Sequence, residues 1–278
     1  MNPRIVKDIQ SIFVCNLNEF ENELNALSLI RKYDEYTYLH CLNVARLSVM
    51  LGRRFELDDP DLVDLGWAAL LHDLGKLHVP IHILNKVKKF SPEELAIMQS
   101  HPLESLAAFV KLQPVTIDTI NRLSAAFEHH QRFDLKGYPV VQRKLNLHPF
   151  SRIVSVADTF DAMTTDRIYQ RRILPDLALR IMSQGFGTIF DPIVLQAFIT
   201  SMGAYPVGSL VRLSDQRLGF VTGYGKNSRV DRPYLRIMEN GISVEEMDLM
   251  DDRHSGLRIM HSEFPEDHEL EGKFQSWK

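Results

Sequence analysis

Seven polar side chains fall where the chain's own helical patterning demands burial, and that conflict restricts what it can fold into. His40 lies on an apolar stripe with Val44, Leu47 and Leu51, and His72 on one with Leu62, Leu65 and Ala69. Asp73 follows directly. His101 and the adjacent pair His129 and His130 close two further helical patterns, and Asp158 shares a helix face with Val154 and Asp161. Burying these five imidazoles and two carboxylates without compensation would consume the roughly 5–15 kcal/mol that a folded domain has in hand. Metal ligation removes the conflict, because a cation turns the same groups into favourable core contacts.

The donor types narrow the metal. Imidazole with carboxylate and no thiolate suits Fe, Mn, Zn or Ni, and is too rich in nitrogen for Ca or Mg. The two cysteines, Cys15 and Cys41, form no metal motif and no disulfide framework, which leaves them as reduced thiols. Seven donors are too many for one ordinary site with an open position. With one carboxylate bridging they suit two metals, the recurring device for phosphoester cleavage.

Around these positions the sequence is organised as a mainly α chain with a β-rich end. Helical periodicity is expected over Thr37–Leu51, Asp61–Leu74, Ser91–His101 (halted by Pro102), Ile117–His130, Ser151–Thr165, Pro175 to near Gly185, and Asp191 to Gly203. Ser91-Pro92-Glu93-Glu94 is a strong start signal. After Tyr205-Pro206 the pattern shifts to short, partly β-branched runs at Ser209–Leu213, Leu218–Tyr224 and Tyr234–Met238. We therefore expect an N-terminal helical segment over 1–35 that packs on the bundle or dimerises, a helical domain over 36–203, and a small β-rich cap of low internal regularity over 204–278.

Charge and hydropathy exclude several function classes. A net charge of −4 argues against a protein that coats long nucleic acid. No apolar run is long enough for membrane insertion and no secretory leader is visible, so the expected location is cytoplasmic. The basic stretch Asp166–Arg172 has a solvated helix end as its simplest explanation on composition alone.

Taken together, LLHDLGKLHVP at 70–80, ILNK at 83–86, the Ser91-to-Pro102 helix ending His-Pro, HHQRFDLKGYP at 129–139 and SRIVSVADTFDAMTTDRIY at 151–169 resemble the HD-GYP domain. The resemblance covers about residues 36–200 with the motifs in the family's order. It implies an HD-superfamily helical bundle that hydrolyses cyclic di-GMP to pGpG, and further to GMP, with two or three metals and water activated between two of them. It implies metal ligation by His40, His72, Asp73, His101, His129, His130 and Asp158, with Asp73 bridging. One metal would have His40, His72, Asp73 and Asp158; the other would have Asp73, His101, His129 and His130. Asp73 and Lys76 are the implied catalytic residues. Lys76, Gly137, Tyr138, Pro139, Asp161 and Arg167 are the implied substrate-binding residues, which gives the basic stretch a phosphate to hold. Iron or manganese is the implied metal, and signalling proteins or a second copy are the implied protein partners.

Three departures from the family's pattern stand out. Gln131 replaces a glutamate and Leu135 replaces a glycine in HHExxDGxGYP, so the loop is expected to follow a different path, because leucine resists positive φ. Tyr36 stands where members with a third metal carry glutamate, with Glu35 about 100° away around the helix, so two metals are expected and not three. Gln170 stands where a lysine often assists Arg167. The departures keep a rival open: a binding module that senses cyclic di-GMP without cleaving it. A hydrolase of another cyclic dinucleotide is a second alternative. His78, His82 and His148 match no ligand position, and His254, His261 and His268 show no metal spacing.

Overall fold

The computed structural model describes residues 21–112, 115–140, 146–166, 171–225, 229–239 and 241–270. Its helices are Glu21–Tyr33 (α1), Glu35–Arg54 (α2), Asp59–Leu70 (α3), the short Ile81–Leu84 (α4), Pro92–Gln99 (α5), His101–Leu112 (α6), Ile117–Glu128 (α7), Pro149–Thr164 (α8), Pro175–Ser183 (α9) and Pro192–Met202 (α10). The strands are Leu210–Leu213 (β1), Leu218–Gly223 (β2), Tyr234–Glu239 (β3), Ile242–Asp248 (β4) and Ile259–Glu263 (β5). This is the expected mainly α fold with a small antiparallel sheet near the C-terminal end. Among the described residues no helix is long and apolar enough to cross a membrane.

The chain packs as two compact units, Met1–Arg172 with Gly185–Ala197, and Ile173–Gln184 with Phe198–Lys278. Composition placed a boundary at 203/204, whereas packing groups α9 with the sheet: buried Asp176 on α9 accepts a hydrogen bond from Ser262 Oγ on β5. In the first unit, local chemistry sets the helix starts. Asp34 accepts from Thr37 N–H at 2.8 Å and caps α2, Asp58 caps α3, and Ser91 with Glu94 forms a reciprocal capping box on α5. α2 packs on α3 and α8, and α3 packs on α7, around fully buried Leu51, Leu65, Trp67 and Leu71. Buried Arg122 on α7 joins Asp64 of α3 at 2.8 Å and lies 3.7 Å from Glu23 of α1.

Two helix boundaries differ from expectation, and both differences concern the site. The helix expected to reach Leu74 ends at Leu70, and His72 and Asp73 lie in the turn before a 3-10 turn at Leu74–His78. On a continuous helix the two side chains would diverge by about 100°; in the turn both converge on the same buried space. Pro102 does not stop the helix that begins at Pro92. That helix ends at Gln99, and a new one starts at His101 with Pro102 in its first turn, where a missing N–H costs nothing.

The second unit is more regular than composition suggested. Its sheet has the order β4-β3-β2-β1-β5, antiparallel throughout, with Leu210 opposite both Phe220 and Glu263. Val211, Leu213, Val221, Leu235, Ile237 and Met247 fill one core, while Leu210, Phe220 and Met238 form another with Leu270. β4 escaped the sequence reading because most of its residues are exposed and it carries two adjacent glutamates.

Glu263 on β5 is held by Arg212 on the neighbouring β1, at 2.9 Å between Nη2 and Oε2, and by His261 and His268. Its hydrogen bond from Arg212 outweighs partial burial and brings its carboxyl from 4.5 down to about 2. A depressed carboxyl pKa contributes stability that is present above the unfolded value and lost as pH falls through the folded one. Amide exchange in β1 and β5 should therefore accelerate as pH is lowered from 4.5 towards 2, after correction for intrinsic exchange. Glu263→Gln should flatten that dependence; an unchanged profile would contradict the assignment.

Candidate metal centre

Four helices and one turn bring the expected ligands to one place. His40 projects from mid-α2, His72 and Asp73 from the turn after α3, and His101 from the first residue of α6. His129 is the C-cap of α7 with His130 next, and Asp158 lies on α8. The turn carrying His72 and Asp73 is clamped to α6. Ser105 Oγ accepts from Gly75 N–H at 2.8 Å and donates to the His72 carbonyl at 2.8 Å. A Cβ on Gly75 would sit 2.0 Å from the His101 carbonyl oxygen, so only glycine lets the turn approach.

Asp73 lies at the centre. Its Oδ1 is 3.2 Å from His101 Nε2 and 3.7 Å from His129 Nε2, and its Oδ2 is 3.3 Å from His72 Nε2 and 3.7 Å from His40 Nε2. Asp158 Oδ1 is 3.0 Å from His40 Nε2 and 3.9 Å from His72 Nε2, and its Oδ2 is 3.9 Å from His130 Nδ1. Two donor groups emerge with Asp73 in both: His40, His72 and Asp73; and Asp73, His101, His129 and His130. Asp158 borders both groups.

The backbone selects which ring nitrogens face inward. Nδ1 of His72, His101 and His129 lies 2.7, 2.6 and 2.9 Å from the carbonyl oxygens of Ala69, Met98 and Ala126. A carbonyl accepts only, so each Nδ1 must carry the proton and each Nε2 presents a lone pair. His101 Nε2 and His129 Nε2 then face each other at 3.2 Å as acceptors, and His101 Nε2 faces Asp73 Oδ1 the same way. His72 Nε2 and Asp73 Oδ1 are buried without a hydrogen-bond partner. Lone pairs aimed at one another in a dry space are satisfied by a cation, and this donor set suits a divalent metal.

The electrostatics agree with that assignment. Burial holds the His129 ring well below the ordinary imidazole value and brings His130 down to about 3, which keeps both neutral. Burial opposes ionisation of Asp73, but the Lys76 ammonium outweighs it and holds the carboxyl well below its usual range. His40 is the exception: burial opposes its protonation, yet Asp158 and Asp161 push it up to about 9.

The implied substrate residues divide. Lys76, in the 3-10 turn, bonds Asp73 Oδ2 and is a fifth exposed at its side chain. Tyr138 stacks on His130, with ring centroids 4.7 Å apart. A Cβ on Gly137 would meet the His130 carbonyl oxygen at 2.3 Å, so this glycine lets the loop fold back on the histidine pair. Pro139 follows a cis peptide bond, and its carbonyl accepts from Gln131 Nε2. Asp161 departs from its expected place at the pocket. Its carboxylate is buried behind His40, with Oδ2 2.7 Å from His40 Nδ1 and Oδ1 accepting from Thr165 Oγ1, so it orients that ring. Arg167 and Gln170 lie outside the described residues.

The loop also departs from expectation at Leu135, which takes φ +62° despite its side chain. Among the unmatched histidines, His148 caps α8, His254 bonds the Asp248 carbonyl, and His261 and His268 serve Glu263. Ser105 and Gly75 were missed in the sequence. The signal was there, since Ser105 lies four residues after His101 on one helix face.

Ser105→Ala should cost about 2–3 kcal/mol in chemical denaturation, because it orphans a buried N–H and a buried carbonyl. It should also weaken metal binding about tenfold or more in titration. Leu135→Gly should relieve left-handed strain of about 1–2 kcal/mol against a glycine entropy cost of about 0.5–1, for a net gain of about 0.5–1 kcal/mol. A loss of stability would show that the leucine side chain packs more tightly than its backbone is strained.

Comparison with known proteins agrees with this geometry. Residues 16–194 match the model of the HD domain family. A cyclic di-GMP phosphodiesterase of Pseudomonas aeruginosa is 38% identical over 200 residues, covering 72% of this chain and 47% of that protein. A 3′3′-cGAMP-specific phosphodiesterase of Vibrio cholerae is 33% identical over 62% of this chain and 36% of its own length. A cyclic di-GMP phosphodiesterase of Thermotoga maritima is 31% identical over 63% of this chain and 48% of its own length. The chain thus spans about half or less of the length of these relatives. With well over half of its own length matched by the family model, the chain belongs to the HD domain family.

Proposed function

We propose that this chain is a metal-dependent phosphodiesterase that hydrolyses cyclic di-GMP to linear pGpG, and further to GMP, with residues 36–203 as the catalytic domain. The observation that carries the proposal is the convergence of lone pairs on Asp73, with His72 Nε2 and Asp73 Oδ1 buried and unpartnered. His40, His72, Asp73 and Asp158 would hold one divalent cation, and Asp73, His101, His129 and His130 a second. Iron or manganese fits these donors, and Tyr36 provides no ligand for a third. When bound, the pair would supply a water made acidic enough to attack phosphorus at neutral pH, and charge stabilisation at the phosphate.

The protein's own groups would do the rest. Lys76, anchored by Asp73, would hold a non-bridging phosphate oxygen, and Arg167, by the family resemblance, would add a second cation for the phosphate. Tyr138, fixed on His130, would present its ring and hydroxyl to the dinucleotide, on the loop that Gly137 and Pro139 shape. Burial raises the Tyr138 hydroxyl above its ordinary value, so it would act as a neutral hydrogen-bonding group and not as a base. In the step itself, water oxygen joins phosphorus, the bond from phosphorus to the ribose 3′-oxygen breaks in line, and that oxygen leaves with a proton.

A second substrate has specific support, since one relative is named a 3′3′-cGAMP-specific phosphodiesterase. Rates for cyclic di-GMP, 3′3′-cGAMP and cyclic di-AMP, measured side by side on Mn- and Fe-loaded protein, should favour cyclic di-GMP. Binding without turnover under both loadings would reduce the chain to a sensor. Asp73→Ala should abolish turnover and remove most of the metal by elemental analysis, whereas Lys76→Ala should keep the metal and cut the rate about 100-fold or more. Full metal content in Asp73→Ala would rule out the bridging role.

A further inference from the structure

The geometry points to Arg152 as a positioning residue that holds the His129–Pro139 segment in register with α8, a role that builds on the phosphodiesterase reading above. Arg152 lies on α8 six residues before Asp158, about 9 Å along the axis. It touches no expected ligand. Its guanidinium instead joins three segments. Nε donates to the Leu147 carbonyl at 3.0 Å, just before α8. Nη1 donates to Asp191 Oδ2 at 2.9 Å. The planar group lies over the Phe133 ring, 5.8 Å from its centroid.

Each partner is itself fixed. Asp191 Oδ1 accepts from Ile193 N–H at 2.8 Å and Val194 N–H at 3.3 Å, so one carboxylate starts α10 and receives Arg152. The segment just before Asp191 holds the loop by its backbone: Phe133 N–H donates to the Ile189 carbonyl and Asp134 N–H to the Thr188 carbonyl, both at 2.9 Å. The loop after the histidine pair therefore has two supports, Thr188–Ile189 along its backbone and Arg152 against the Phe133 ring, and Asp191 links them. Five residues after Phe133 comes Tyr138, and its N–H returns to the His130 carbonyl at 3.3 Å. A shift of the Phe133 end is thus passed to His130 and Tyr138, while Asp158 stays with α8.

Lysine cannot replace this side chain, because it lacks both the fork that reaches Leu147 and Asp191 together and the plane that stacks on Phe133. The test uses the full chain with Arg152→Lys, Phe133→Leu and the double variant. For each, metal content is taken by elemental analysis, kcat and KM are measured on cyclic di-GMP, and exchange of the Phe133 and Asp134 amides is followed. The expected result in both single variants is wild-type metal content, a kcat about tenfold lower and amide exchange at these two positions about tenfold faster. The double variant should be no worse than the more severe single one, since both changes remove one contact. Wild-type kcat with wild-type amide protection overturns the proposal, as does a loss of thermal stability with neither readout moved. If Arg152→Lys fails to fold, Phe133→Leu decides. If the wild-type chain cleaves no cyclic dinucleotide, the phosphodiesterase reading fails by itself and the amide exchange still decides the role of Arg152.

Discussion

A single buried carboxylate organises the first unit. Asp73 lies within 3.7 Å of four imidazole nitrogens and is bonded by Lys76, while its Oδ1 has no hydrogen-bond donor. Such a group is costly in a dry interior unless cations surround it. The elements that present those imidazoles have little freedom as a consequence: α2, α6 and α7 must all aim at one point, and the turn after α3 must carry two adjacent side chains to it. The Ser105 clamp and the close approach at Gly75 make that turn possible.

Around the converging donor atoms lies a second layer that sets the protonation of the rings. Three backbone carbonyls take the Nδ1 protons of His72, His101 and His129, so their Nε2 lone pairs face inward. His40 is treated differently, with a carboxylate on each nitrogen. The helix ends serve this arrangement. A carbonyl three residues back is available to a histidine at the end of a helix because that carbonyl no longer has a full set of helical partners. Placing His101 and His129 at such boundaries thus orients each ring at no cost in helical bonds.

How much of this was legible in the sequence follows from the kind of interaction involved. The stripes of α2 and α7 were readable because burial imposes a period on the chain. So was the start of α5, where capping chemistry acts within four residues. The end of α3 was not, since Leu71, His72 and Asp73 continue a helical pattern and only packing against α6 breaks it. Asp161 was placed among substrate residues by the family resemblance; that it backs His40 depends on α2 lying against α8. Leu135 shows the reverse case: the residue type opposed positive φ, and closure of the loop imposed it.

By itself the sequence determined the inventory: which donors exist, that they fall on buried faces, that the chain is a helical bundle with a β-rich end, and which family it resembles. The resemblance rests on the order of the motifs; the rest follows from periodicity, caps and residue chemistry, all of which act over a few neighbours. Only the tertiary structure decided that His72 and Asp73 sit in a turn held by α6, that Asp161 backs His40, and that α9 packs with the sheet. Those outcomes depend on contacts between residues 33 to 121 positions apart, and their energies arise only once water has been expelled from between them.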